Sequence, residues 1–165
     1  MRTRRLTFDA LLTAIALTIF LVELQIPPLA PIPGIKLGLS NIVTVFAMFA
    51  LGPVDALLIL FVRILLGGVL SGHTMALMYS FAGGMFCYFA MLLMRKIVTS
   101  RQIWVCSVIG AAAHNIGQMA VALLVTRTTA LLIYLPLLLV TGMLAGLFTG
   151  LTAQFLTAKL SRILK

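Results

Sequence analysis

The stretch IWVCSVIGAAAHNIGQMAVALLV, residues 103–125, is the most telling in the chain. It holds no Asp, Glu, Lys or Arg, and Arg101 and Arg127 bracket it. Crossing the hydrocarbon core of a bilayer, about 30 Å thick, takes roughly 20 apolar residues at about 1.5 Å each in a helix. A strand of a transmembrane barrel would alternate apolar and polar residues, and this run does not. It reads as a membrane-spanning helix.

The same pattern extends in both directions. Apolar segments occupy 6–26, 37–51, 54–70, 74–94 and 129–158, with breaks at Pro27–Lys36, Gly52-Pro53, Ser71-Gly72-His73 and Arg95–Arg101. Proline cannot continue a helix, so the first break is a loop. The second segment is short for a span, which calls for a tilt or a start inside that loop. Charged residues make up 9% of the chain, against roughly 25% in soluble domains, and mean hydropathy is +1.21. The expectation is an all-α integral membrane protein: one transmembrane domain over residues 1–165, six helices in a bundle, with no separate catalytic domain.

Orientation follows from the basic residues. In a six-span arrangement Arg2, Arg4, Arg5, Arg95, Lys96, Arg101, Lys159, Arg162 and Lys165 share one side, against Lys36 and Arg127 on the other. Positive residues favour the cytoplasmic face, which puts both termini inside. Clusters between apolar runs are topology signals, so the +9 net charge does not indicate nucleic-acid binding. Met1–Arg5 with its apolar run superficially resembles a signal peptide, but the run exceeds an h-region of about 7–15 residues. It is expected to stay as the first span. Cys87 and Cys106 lie in apolar runs without metal-site spacing and are expected to be buried apolar groups.

Polar groups inside a membrane are costly, hence informative. Glu23 falls near the outer end of the first helix, Asn41 in the outer part of the second and Arg63 near the middle of the third. His114, Asn115 and Gln118 lie in the middle to outer half of the fifth helix and Tyr134 in the outer part of the sixth. Lys36, His73 and Arg127 flank the outer surface. The inner half carries little beyond Asp9 and Asp55, placed at helix starts where the dipole favours acids. This asymmetry points to an outward-opening cavity closed toward the cytoplasm. A channel would need polar lining in both halves.

Each residue also has a structural reading. Arg63 could snorkel or pair with a carbonyl or Glu23, and Glu23, Lys36 and His73 could be interfacial. The fifth-helix trio could make interhelical hydrogen bonds. Gly142, Gly146 and Gly150 form a small-residue face suited to packing within the chain rather than dimerisation. Pro136 is expected to kink the last helix. The sequence lacks a GxxxxGK phosphate loop, an Asp-rich magnesium site for a prenyl diphosphate and a zinc cluster. No cofactor and no enzymatic activity are expected.

Pro33-Gly34-Ile35-Lys36-Leu37-Gly38-Leu39-Ser40-Asn41, Gly52-Pro53, Arg63-Ile64-Leu65-Leu66-Gly67-Gly68 and Ala113-His114-Asn115-Ile116-Gly117-Gln118 together resemble the Gx transporter family, labelled heptaprenyl diphosphate synthase component I. That family is similar to the S-components of energy-coupling-factor importers, six-helix membrane proteins that bind a micronutrient from outside. The resemblance implies partnership with a transmembrane T-component and two cytoplasmic ATPases. It also implies docking through an AxxxA pattern on the first helix, matched by Ala10 and Ala14 and extended by Ala16. Glu23, Lys36, Asn41, Arg63, His114, Asn115 and Gln118 become the candidate ligand contacts, with the proline-rich loop as a lid. The synthase label suggests an isoprenoid- or quinone-related ligand. It also keeps open a non-catalytic accessory role in polyprenyl diphosphate synthesis; a solitary facilitator is a third possibility.

Overall fold

The structure, a computed structural model, describes residues 2–26, 36–72, 74–99 and 101–163. Of the expected lid, Pro27–Lys36, all but Lys36 lies outside the described residues, with the Pro33-Gly34-Ile35 part of the motif, as does His73. The order is α1 (Arg2–Glu23), α2 (Asn41–Ala50), α3 (Pro53–Ser71), α4 (Thr74–Met94), α5 (Ile103–Thr126), a 3-10 turn (Thr129–Tyr134) and α6 (Leu135–Ile163). All described regular structure is helical. Among the described residues, five helices are long and apolar enough to cross a membrane.

The exception is α2. Its 10 residues rise about 15 Å, half the thickness of the hydrocarbon core, so the expected 37–51 span does not cross as one helix. The cause is local. Gly38 has φ +77, a left-handed conformation that ends any helix beginning before it. Gly52-Pro53 stops α2 at its other end, with Pro53 opening α3.

Side-chain contacts fix the helix directions. Arg5 at the start of α1 pairs with Asp55 at the start of α3, its Nε 3.0 Å from Oδ2, so these helices run parallel. Tyr88 in α4 donates to Pro53 O at 3.1 Å, and Ser107 in α5 meets Thr149 in α6 at 3.1 Å; both pairs are antiparallel. Arg4, Arg5, Arg95, Lys96, Arg101 and Lys159 therefore gather at one end of the bundle. Asp55 sits in the first turn of α3. Asp9 does not start a helix as expected, because α1 already begins at Arg2.

The small-residue face of α6 packs within the chain. Ideal Cβ atoms at Gly146 and Gly150 would come within 2.7 Å of Ala111 Cβ and 2.6 Å of Ser107 Cβ on α5. Pro136 lies in the first turn of α6, where its missing N–H costs no hydrogen bond. The 3-10 turn runs directly into α6 at Leu135, so Pro136 is not at the mid-helix position that a kink would need.

Leu12, Ala16, Val45, Met48, Leu60 and Met91 belong to an apolar core that fills the basic end, with α2 at its centre. Large apolar side chains such as Leu6, Val54, Val69, Leu124 and Phe148 are exposed, as a lipid-facing surface requires. Ala10 and Ala14 are exposed on α1. Ala16 is not part of that surface: it is 1% exposed, because six residues at ~100° each turn it well away from Ala10. Cys87 and Cys106 are buried free thiols.

Candidate functional site

At the other end, polar side chains from α1, α2, α3 and α5 converge on the irregular segment Lys36–Ser40. Buried backbone donors outside regular structure need protein acceptors, and here two of the candidate residues supply them. Glu23 Oε1 accepts from the N–H of Gly38 and, at 3.2 Å, from that of Leu39. Gln118 Oε1 accepts from the N–H of Lys36 at 3.2 Å. Without these acidic and amide acceptors the turn leading into α2 would strand its donors.

Arg63, near the middle of α3, is 2% exposed and, among the described residues, the largest fully buried side chain. Turning an arginine inward avoids the insertion penalty of about 2.5–3.5 kcal/mol at the centre of a membrane helix. Its Nη1 donates to Ser40 Oγ and its Nη2 to Asn41 Oδ1 at 3.4 Å. Among the described residues its Nε has no partner. Lys36, expected at the outer surface, instead lays its Nζ 3.4 Å from the centroid of the Phe20 ring, and among the described residues this buried nitrogen has no hydrogen-bond partner. Arg63 faces the same ring, its Cζ 5.8 Å from the centroid. Burial pushes the Lys36 ammonium down to about 8, Glu23 opposing that shift and Arg63 adding to it.

His114 links α5 to α2. Asn41 Nδ2 lies 3.2 Å from its Nδ1, and Gln118 Nε2 lies 2.9 Å from its Nε2. Gly38 permits this approach: a Cβ there would stand 2.9 Å from Asn41 Nδ2 and 3.1 Å from the imidazole. Both carboxamides present NH₂ groups to the ring, because their oxygens serve Arg63 and the Lys36 amide. A neutral imidazole has one acceptor nitrogen, so at least one of the two contacts sets donor against donor.

Six of the seven candidates thus meet: Glu23, Lys36, Asn41, Arg63, His114 and Gln118. Asn115 does not join them. One residue round the helix from His114, it donates to Leu138 O of α6, in a gap made by Gly142. Tyr134 is in the 3-10 turn, and Arg127 is an exposed cap of α5. Two participants escaped sequence reasoning. Ser40 sits beside Asn41 in the motif already quoted, and Phe20 lies one helical turn before Glu23; that spacing was the available signal. Among the described residues no three His, Cys, Asp or Glu side chains come together as a metal site.

A solved structure described as "Structure and mechanism of the S component of a bacterial ECF transporter" matches with a TM-score of 0.62 at 19% identity, covering 99% of this chain and 96% of that chain. At that identity the likeness establishes the fold. Comparison with curated protein sequences finds no match. A family model described as heptaprenyl diphosphate synthase component I matches residues 12–156. From the convergence of its motif residues on one turn, its S-component fold and this match over most of its length, the chain belongs to the heptaprenyl diphosphate synthase component I family.

Proposed function

We propose that this multi-pass membrane protein is the substrate-binding subunit of an energy-coupling-factor importer. One observation carries the proposal: on an S-component fold, a buried cluster of Glu23, Lys36 and Arg63 keeps, among the described residues, an unpartnered polar atom on each member. Groups like these are expensive to bury, and a binding site is where that expense returns a benefit. The substrate is a small molecule, either a micronutrient or an isoprenoid- or quinone-related compound. The cluster faces the outside and both termini face the cytoplasm of the cell membrane, with the basic end inward. Energy comes from two partner ATPases through a T-component, which docks on Ala10 and Ala14. The chain itself catalyses nothing.

The family description favours a second reading, a non-catalytic accessory subunit of polyprenyl diphosphate or quinone synthesis. The sequence has three acidic residues in all. Of these Asp55 is paired with Arg5 and Glu23 holds a backbone turn, so neither reading makes this chain the condensing enzyme. Affinity purification of the full chain from native membranes separates the two. The importer predicts recovery of a T-component with ATPases; the accessory role predicts a soluble prenyltransferase. Recovery of the prenyltransferase without ATPases would overturn the importer proposal.

A further inference from the structure

The charges and hydrogen-bonding capacity of the cluster specify its ligand more closely, on the premise that the chain is a binding subunit. Among the described residues the cluster holds two cations, Lys36 and Arg63, and one carboxylate, Glu23. A buried excess of positive charge is unfavourable without a counter-ion. Donors also outnumber acceptors. Among the described residues the free positions are Lys36 Nζ and Arg63 Nε on the donor side and Glu23 Oε2 on the acceptor side, while the two carboxamide NH₂ groups compete for His114. The cluster is small, since Lys36 and Arg63 share the Phe20 ring and Glu23 and Arg63 hold neighbouring residues of one turn.

We infer that the site binds a compact organic monoanion of the carboxylate class, its charged group accepted by Lys36 and Arg63 and a neighbouring N–H or O–H donated to Glu23 Oε2. One negative charge balances the excess. The anion supplies the missing acceptors, and the ligand's donor meets Glu23 Oε2. A diphosphate carries more charge than the excess and would place it beside the Glu23 carboxylate, where like charges repel. A neutral ligand leaves the cationic excess in place. An apolar remainder of the molecule is compatible with the Phe20 wall.

The test uses the full chain in detergent with two readouts. Native mass spectrometry identifies any molecule retained from the membranes. Thermal-shift titration compares orotate and mandelate, which join a carboxylate to an adjacent N–H or O–H, with their primary amides and with farnesyl diphosphate. The expected result is a retained or stabilising monoanion, bound at least tenfold more weakly by Lys36→Gln and by Arg63→Gln. Lys36 lies outside the helices, so its variant serves if Arg63→Gln does not fold. A neutral or diphosphate ligand, binding indifferent to both substitutions, or no bound species in either readout overturns the inference. Recovery of the T-component and ATPases is measured separately, so loss of the ligand class and loss of the importer role are told apart.

Discussion

The ammonium of Lys36 stands 3.4 Å above the centroid of the Phe20 ring, joining the turn before α2 to the end of α1. A cation so placed and removed from water gains on the order of 1–2 kcal/mol from the ring. Phe20 is 1% exposed and lies against Gly67 of α3, so the ring also keys α1 to α3. Phe20→Leu preserves most of the apolar volume while removing the π face. The expected outcome is a loss of about 1–3 kcal/mol of stability and faster modification of Lys36 by an amine reagent, both measurable in detergent. Unchanged Lys36 reactivity would show that the ring does not hold the ammonium.

Ligand affinity should depend on pH through Lys36. Burial holds its ammonium at about 8, with Glu23, Arg63 and His114 as the titratable or charged neighbours. An anionic ligand favours the protonated form and raises the value in the complex. Affinity is therefore greatest below pH 8 and falls by up to tenfold per pH unit above it. Lys36→Arg should move that fall beyond the accessible alkaline range. An isothermal titration series from pH 6 to 9.5 measures both; a flat wild-type profile would remove Lys36 from the ligand.

Gly142 and Asn115 should be coupled. A Cβ at Gly142 would stand 1.9 Å from Asn115 Nδ2, so Gly142→Ala evicts the amide from Leu138 O and overpacks the α5–α6 contact, costing about 1–3 kcal/mol. Asn115→Ala in the same chain frees that space and should recover part of the loss, a coupling of about 0.5–3 kcal/mol in a double-mutant cycle. Additive effects in thermal unfolding would contradict the packing.

Topology can be read chemically because both native thiols are buried. Cysteines introduced at the exposed positions Lys96 and Arg127 lie at opposite ends of the bundle. A membrane-impermeant maleimide added to whole cells should label Arg127→Cys and spare Lys96→Cys. The reverse pattern would invert the protein in the membrane.

Much of this architecture was legible in the sequence because bilayer thickness sets one length for every span and the Lys and Arg clusters set direction. Residues 74–94 and 103–125 come within a residue of α4 and α5 for that reason. The half-length of α2 was not legible. Gly38 could have continued a helix or broken one, and only the contacts made by Glu23 and Gln118 show why the broken form is stable. The inward placement of Arg63 followed from its cost in lipid, whereas that of Lys36 did not: a lysine beside a loop ordinarily snorkels, and the Phe20 ring that captures it lies sixteen positions away in the chain. Asn115 shared a motif with His114 but not a helix face, and one residue of rotation sends it to α6.

The role as an importer's binding subunit is tested most directly at α1. Ala10 and Ala14 are exposed, share one helical face and lie toward the basic end, away from the Glu23–Lys36–Arg63 cluster. Small residues there allow close approach of a partner helix. The measurement is the amount of T-component and ATPases recovered with the Ala10→Leu, Ala14→Leu double variant relative to the unmodified chain, at matched expression and ligand binding. At least a tenfold loss of recovered complex is expected, with substrate binding retained. Undiminished recovery would contradict docking through this face, and an unmodified chain that recovers no ATPases would contradict the importer role itself.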